Sequence, residues 1–328
     1  MTGPTLVAGG AGFLGSHLVD VLLAAGRDVV VIDDLSTGRR QHLDRLAGLP
    51  GVRVEIADIT EPLPGWLLHQ PFDRIYHLAS PASPVGYARL PIETLRVNSI
   101  GTQRLLDLAR RHGSRVLYTS TSEVYGDPLV HPQPETYWGN VNPVGPRSCY
   151  DEAKRFGESL VTNYVRVHAV DARIARIFNT YGPRADPEDG RMIPNFCVQA
   201  IHGRPLTIYG DGQQTRSLCY VDDLVRGLAA LMDTDGLTGE VVNLGSPDEH
   251  TVRDIADKVI SGARSGSEVV HLPLPVDDPR KRRPDLDKAG RLLGWSPAVD
   301  LADGLERTLA WFREELILES SGGAATFR

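Results

Sequence analysis

A short apolar run, Thr5-Leu6-Val7-Ala8, opens directly into Gly9-Gly10-Ala11-Gly12-Phe13-Leu14-Gly15, and an apolar helical pattern follows from Ser16 to Ala25. A strand that becomes a helix through glycines leaves few folds open. The three glycines at 9, 12 and 15 serve a tight turn, a close approach of backbone to a ligand, and tight helix packing. The helix N-terminus then presents free N–H groups and partial positive charge, which suit a pyrophosphate. A glycine cluster alone is weak support for that reading. Here a second strand, Asp28 to Ile32, ends at Asp33, eighteen residues after Gly15. A carboxylate there accepts hydrogen bonds from ribose hydroxyls and repels a 2′-phosphate, which favours NAD over NADP. Arg39 and Arg40 are a mild counter-signal; lying past the strand end, they are expected on the solvated surface.

Further strand patterns at Val52–Ala57, Arg74–Leu78, Arg115–Tyr118 and Ala172–Ile177 alternate with helical patterns at Asn98–Arg111 and Tyr150–Arg166. This alternation predicts an α/β fold: a doubly wound parallel (Rossmann) sheet covered on both faces, with ligands at the carboxyl ends of the strands. After Phe178 the elements shorten and Pro and Gly increase, with one more helix at Tyr220–Met232. The expected division is a binding domain over 1–178 with a return segment near 217–245, a smaller substrate-binding lobe mainly over 179–316, and a flexible tail at 317–328.

A chain of 328 residues with 41% hydrophobic residues can bury a sizeable core. Its net charge of −7 provides no basic footprint, so nucleic acid is not an expected partner. Cys149, Cys197 and Cys219 lack metal-ligand spacing, no metal is expected, and an odd cysteine count fits reduced thiols in the cytoplasm. No signal peptide or membrane-length apolar run is evident, so no membrane partner is expected. His17, His77, His112 and His250 are scattered without ligand spacing, and the four tryptophans form no stacking platform.

The chemistry concentrates in two segments. Thr119-Ser120-Thr121-Ser122-Glu123-Val124-Tyr125-Gly126 brings hydroxyls and a carboxylate to a strand end, and Tyr150-Asp151-Glu152-Ala153-Lys154 puts Tyr and Lys on one helix face. A phenol with an ordinary pKa of ~10 becomes a useful base only if that value falls, and a nearby ammonium favours the phenolate. Tyr150 and Lys154 therefore predict proton transfer coupled to hydride chemistry.

These segments resemble the extended short-chain dehydrogenase/reductases that modify nucleotide sugars, and within them the UDP-glucuronate decarboxylases (UDP-xylose synthases). The resemblance runs from Thr5 to Leu316. Its general marks are Gly9-x-x-Gly12-x-x-Gly15 and Tyr150-x-x-x-Lys154. The narrower ones are Ile75 to Pro84, Ser120 to Pro128, Cys149-Tyr150-Asp151-Glu152, and Asp277 to Asp285.

The resemblance implies that Tyr150 takes the C4 hydroxyl proton while C4 gives hydride to NAD, with Thr121 sharing the hydrogen bond and Lys154 holding the nicotinamide ribose. The 4-keto group then lies β to the C6 carboxylate, carbon dioxide leaves, and hydride returns to C4. Related 4,6-dehydratases carry an Asp-Glu pair after the Thr. Ser122 stands in place of that Asp, so the acid for dehydration is missing, and Glu123 marks decarboxylation over 4-epimerisation. Arg282 matches an arginine proposed to act as acid or to organise C5 protonation. Since a guanidinium is a poor proton donor, an electrostatic or water-positioning role fits better, with a solvated basic run (Arg280 to Arg283) as the bland alternative.

Cofactor contacts are implied at Gly9, Gly12, Phe13, Leu14, Gly15, Asp33, Asp34, Thr37, Gly38, Asp58, Ile59, Leu78, Ala79, Ser80, Tyr150, Lys154 and Thr180. Substrate contacts are implied at Ala82, Tyr87, Thr121, Arg147, Asn179, Arg191, Tyr209, Arg216 and Arg282, with the nicotinamide as the alternative neighbour of Arg191. Val276, where an oxidative relative has Tyr, favours the redox-neutral reaction over the oxidative decarboxylase; an oxidative UDP-glucuronate decarboxylase or a UDP-sugar 4-epimerase on the same fold is the alternative reading. The resemblance also implies a homodimer built on helices 98–111 and 150–166. Leu105, Leu106, Leu108, Phe156, Leu160 and Val161 permit this, and core burial within one chain would use them equally well. Golgi members carry an N-terminal membrane anchor, and the resemblance leads to the expectation of a cytoplasmic protein without one.

Overall fold

The computed structural model describes residues 3–274 and 281–322. Val276 and the Asp277–Arg280 part of the basic segment lie outside them. Thirteen strands are described. In the first half they are β1 (Thr5–Ala8), β2 (Val29–Asp33), β3 (Val52–Ile56), β4 (Arg74–His77), β5 (Arg115–Thr121) and β6 (Ala172–Ile177). Then come β7 (Thr180–Tyr181), β8 (Leu206–Tyr209), β9 (Thr215–Ser217), β10 (Cys219–Tyr220), β11 (Val241–Leu244), β12 (Glu249–Thr251) and β13 (Val269–Leu272).

Seven of them form one parallel sheet in the order β11-β6-β5-β4-β1-β2-β3. The strand order reverses beside β1, and in such sheets the crevice at the carboxyl ends of the strands takes the ligand. β1 and β2 are fully buried apolar runs, as a sheet covered on both faces requires. One buried cluster joins Val7, Leu18, Val31 and Leu117 to the helix Val221–Asp233, and a second packs Leu6, Ile75, Leu106 and Ile174 on the other face. The remaining strands pair as β7 with β10, β9 with β12 and β8 with β13.

The structure moves several element ends. The first helix starts at Phe13, three residues earlier than the periodicity suggests, because Gly12 already accepts from Ser16 N–H. Gly15 sits in its first turn, where a Cβ would overlap the Gly9 carbonyl oxygen. β5 runs on to Thr121, pairing Thr121 with Ile177 of β6. The helical segment expected at 98–111 begins earlier and is not uniform: Pro91–Arg96 is α-helix, Val97–Gly101 is a π-helical turn, and Thr102–His112 is α-helix again. The last helix continues to Gly322, where a flexible tail was expected from 317. Leu305, Leu309 and Phe312 dock this helix on the core and carry its register forward.

Candidate active site

The strand ends and the glycine turn form an open cleft lined by Gly9, Gly12, Asp33, Asp34, Thr37, Gly38, Asp58, Ile59, Leu78, Ala79 and Ser80 among others. Eleven of the positions proposed for cofactor are thus brought together. Asp33 is buried at the end of β2 and accepts from Ala11 N–H and Leu35 N–H, both at 2.9 Å. Those two bonds fix its carboxylate at the cleft wall, and a Cβ at Gly38 would run into it. Asp58 is fixed in the same way by the Thr60 N–H (2.7 Å) and hydroxyl (2.8 Å). This glycine-floored, carboxylate-edged groove fits an adenosine ribose and a pyrophosphate. Arg39 is not the solvated group expected: it is half-buried and pairs with Glu315 of the last helix at 2.8 Å, whereas Arg40 is exposed. Phe13, Leu14 and Gly15 form the first turn of the adjoining helix.

The catalytic candidates gather at the carboxyl end of β5. Thr121 ends that strand, Ser122–Tyr125 forms a 3₁₀ turn, and the Thr121 hydroxyl caps it by accepting from Glu123 N–H at 3.2 Å. The long helix Ser148–His168 lies across β5 and carries Tyr150 and Lys154 on its buried face. Tyr150 is hydrogen-bonded to the Thr121 side chain and stacks on Tyr87, centroids 5.1 Å apart. Lys154 Nζ donates to the Thr119 carbonyl at 2.9 Å and stands 5.9 Å from the Tyr150 ring centroid.

The expected lowering of the Tyr150 pKa is absent here. Burial pushes this phenol up to about 12, outweighing the Thr121 hydrogen bond. Burial also draws the Lys154 ammonium down to about 7. Both shifts have one cause: a water-excluded site penalises phenolate and ammonium alike.

Glu123 is the centre of a buried ion cluster. Arg282 donates to it with both terminal nitrogens, Nη1 to Oε1 and Nη2 to Oε2, the latter at 2.9 Å. Arg147 Nη2 reaches Oε2 at 2.7 Å. Burial opposes ionisation, but Arg282 and then Arg147 hold the Glu123 carboxyl down at about 2. Arg282 is buried rather than part of a solvated basic run, which removes the bland reading of that residue. Beside the cluster, Asp151 is pushed up to about 7 by burial and by the Glu123 charge.

The remaining substrate-side positions come from the C-terminal part and the loop after β4. Arg191 precedes the helix Met192–Ile201, stands 3.6 Å from Asp189, and its charge reaches Tyr150. Asn179 and Thr180 lead into β7, and the Asn179 carbonyl accepts from Cys219 N–H. Arg216 lies half-buried on β9, and Tyr209 ends β8 exposed. Ala82 is exposed ahead of the short helix that carries Tyr87.

Three residues that hold this site have no signal in local sequence. Gln133 is fully buried and brackets Arg282: its backbone pairs with Arg283 and Asp285, and its Oε1 accepts from Arg283 N–H at 2.9 Å. Asn243 of β11 joins the same bracket, donating to the Gln133 and Asp285 carbonyls. Asn98, in the π turn, donates to Ser80 Oγ at 2.9 Å and accepts from the Tyr118 hydroxyl at 3.0 Å. The π turn itself is a local cue to a site, but periodicity does not reveal it. Among the described residues no group of three His, Cys, Asp or Glu side chains is placed to hold a metal ion, and no helix is long and apolar enough to cross a membrane.

A Rossmann sheet with a Thr–Tyr–Lys set at its carboxyl edge defines an extended short-chain dehydrogenase/reductase, and the chain belongs to the NAD dependent epimerase/dehydratase family, whose model matches residues 5–245. Within it, the chain is similar to curated UDP-glucuronic acid decarboxylases. It is 49% identical to UDP-glucuronic acid decarboxylase 1 of Xenopus tropicalis, over 95% of this chain and 72% of that one. It is 51% identical to UDP-glucuronic acid decarboxylase 3 of Arabidopsis thaliana, over 92% of this chain and 86% of that one. Among solved structures, the UDP-glucuronic acid 4-epimerase of Bacillus cereus, in complex with UDP-glucuronic acid and NAD, superposes with a TM-score of 0.86 at 30% identity, covering 95% of this chain and 99% of that one.

Proposed function

We propose that this protein converts UDP-glucuronate to UDP-xylose and carbon dioxide, with NAD regenerated in each turnover. The observation that carries the reading is the Arg147–Glu123–Arg282 cluster set beside the Tyr150–Thr121 pair. A carboxylate-bearing sugar needs positive charge near C6 and a proton acceptor near C4, and the two groups sit at one strand end. The decarboxylase relatives support the same assignment.

When bound, NAD supplies a hydride acceptor and donor at C4. Tyr150 takes the C4 hydroxyl proton, and Thr121 holds the oxygen from which it comes. Lys154 would hold the nicotinamide ribose, and its charge would favour the phenolate as the proton moves. The C4 ketone is β to the carboxylate, so the C5–C6 bond breaks with its electron pair passing into an enolate. Arg282 and Arg147 stabilise the negative charge around that step. A proton then adds at C5, and Tyr150 returns its proton to the C4 oxygen. Gly9 to Gly15 would hold the pyrophosphate and Asp33 the adenosine ribose. Phe13, Leu14 and Thr180 complete the cofactor set, and Arg191, Asn179, Arg216, Tyr209, Ala82 and Tyr87 surround the UDP-sugar.

Residues 1–178 with the return segment near 217–245 then form the NAD-binding lobe, and 179–316 mainly the substrate lobe. A homodimer working in the cytoplasm completes this reading. The test is incubation with UDP-glucuronate, following carbon dioxide, sugar product and absorbance of reduced nicotinamide. Carbon dioxide with UDP-xylose and no lasting absorbance is the expected result. Accumulating absorbance with a keto-pentose, or UDP-galacturonate without carbon dioxide, would overturn it.

A further inference from the structure

The long helix carries a further charged side chain on the face that holds Tyr150 and Lys154. Glu158 follows Lys154 by four positions, so one turn of helix stacks the two on the same side. Both reach β5, at consecutive residues. Lys154 Nζ donates to the Thr119 carbonyl at 2.9 Å, and the Ser120 hydroxyl donates to Glu158 Oε1 at 2.5 Å. The two bonds set an ammonium and a carboxylate side by side along the strand. Among the described residues no hydrogen bond joins Lys154 to Glu158 directly, so the carboxylate acts across space.

Glu158 is fixed from a third element. Arg176 of β6 is the cross-strand neighbour of Ser120, and it donates to Glu158 with Nε at 2.9 Å and Nη2 at 2.7 Å. A forked pair of this kind locks the carboxylate in one orientation. Both side chains are 13% exposed, so salt and solvent screen them little. Arg176 Nη1 donates in turn to the Tyr125 hydroxyl at 3.0 Å, in the turn that carries Glu123.

The titratable groups around Lys154 come from three elements. Tyr150 and Glu158 share its helix, His77 comes from β4, and Tyr118 of β5 has its ring centroid 5.1 Å from Nζ. Burial, and then the Lys154 charge, push His77 down to about 3, and burial pushes both phenols up. These three are therefore neutral near pH 7. Of the charged groups on these elements, on β6 and on the helical segment 91–112, Glu158 alone acts on Lys154 among the described residues. Burial draws the ammonium down to about 7, and the Glu158 charge opposes that fall.

We infer that Glu158 is a positioning residue of the proton-transfer pair: held by Ser120 and Arg176, it keeps Lys154 charged while Tyr150 exchanges its proton. The inference rests on the reading of Tyr150 and Lys154 as that pair. A neutral amine would offer the phenolate no opposite charge.

The chain has four lysines, at 154, 258, 281 and 288, so Lys154 is open to direct titration. Lysine labelled with carbon-13 at Cε is incorporated, and the NAD-loaded protein is followed by NMR from about pH 5 to about pH 10. The Lys154 signal is assigned by its loss in Lys154→Met. Its midpoint is expected near 7 in wild type. Glu158→Gln keeps an acceptor oxygen for Ser120 and Arg176 but removes the charge, and it should lower the midpoint by about one unit. Glu158→Asp, which keeps the charge, should stay within about half a unit of wild type. The alkaline limb of carbon dioxide release should move with the midpoint, about a tenfold loss of the charged form at a given pH above it.

A midpoint that is the same with Gln as with Glu overturns the inference, even where turnover falls, because a purely structural role lowers turnover without moving the titration. Breaking half of a buried pair is costly. Should Glu158→Gln not fold, Glu158→Gln combined with Arg176→Met removes the pair as a unit and answers the same question. The NMR titration needs no substrate. A shifted midpoint with no carbon dioxide release from UDP-glucuronate by wild type removes the decarboxylase reading and leaves the Glu158–Lys154 link, whereas release with no shift removes only the link.

Discussion

Glu123 and Asp151 are neighbouring carboxyls whose environments push them in opposite directions, and each leaves its own mark on stability. Glu123 is held at about 2 in the fold, against an ordinary value near 4.3 in an unfolded chain. A depressed carboxyl contributes stability that is complete above its unfolded value and is lost as pH falls toward the folded one. Thermal unfolding should therefore show a steep loss between about pH 4.5 and pH 2, and Glu123→Gln should flatten it. The same change removes the carboxylate charge that Arg147 and Arg282 both contact. We expect carbon dioxide release to fall by about 10²-fold or more, as for loss of a positioned charged catalytic group, with NAD affinity unchanged. Unchanged turnover would take Glu123 out of the mechanism. Asp151 runs the other way. Its folded value lies above the unfolded one, so the native state holds a proton that the unfolded chain has released, and stability declines as pH rises from about 4 to about 7. The stability of Asp151→Asn relative to wild type should grow by on the order of 2 kcal/mol between about pH 5 and pH 8. A constant difference would show that Asp151 ionises as freely in the fold as outside it.

At the scale of elements, the site depends on how three segments far apart in sequence are pinned together. Gln133 holds the residues on either side of Arg282, and its side chain spans a gap of 150 positions to the Arg283 N–H. Gln133→Ala would leave that partly buried N–H without its acceptor, a cost of about 1 kcal/mol, and would loosen Arg282 on Glu123. A fall of about tenfold in kcat with little change in NAD affinity is expected, since Gln133 is remote from the glycine turn. Equal losses in both would mean that the bracket serves the whole fold rather than Arg282. The long helix has a comparable constraint: a Cβ at Gly157 would overlap the Tyr118 hydroxyl.

Such pairings explain what could and could not be seen in the chain. The strand–glycine–helix unit, the acid at Asp33 and the Tyr150–Lys154 pair are local patterns with fixed spacing, so sequence alone displays them. Arg282 was visible only through resemblance. Its burial and the Gln133–Asn243 bracket depend on contacts between segments more than 100 residues apart, and no local period encodes these. The π turn at Val97–Gly101 escaped because a one-residue widening of a helix barely alters its apolar pattern. The lowering expected for Tyr150 failed for a related reason. Spacing puts a lysine on the right face, but the burial that raises the Tyr150 phenol is a property of the assembled site.

For the whole molecule, the open question is which surface a second copy would cover. Of the apolar positions that could serve a helical interface, Leu105, Leu106, Leu108 and Val161 are buried in the chain's own core, where the second helix layer meets the sheet. They are therefore spent within one subunit. Phe156 is different. It is 53% exposed, and Ile92, Leu95 and Ile100 on the neighbouring helical segment are exposed as well. On the long helix, Tyr150, Lys154, Gly157 and Val161 follow the 3.6-residue period along the buried face, and Phe156 falls on the opposite one. A second copy docking there would cover this apolar surface without entering the catalytic cleft. The proposed dimer thus predicts that Phe156→Glu places a charge in an apolar interface and yields a monomer by light scattering at micromolar concentration, where wild type is expected to run as a dimer. Because the substituted side chain points away from Tyr150, carbon dioxide release per chain should stay within about threefold at saturating substrate. The melting temperature, by contrast, should fall and lose its dependence on protein concentration, as mass action requires once association is gone. A Phe156→Glu protein that still runs as a dimer would place the interface elsewhere on the molecule.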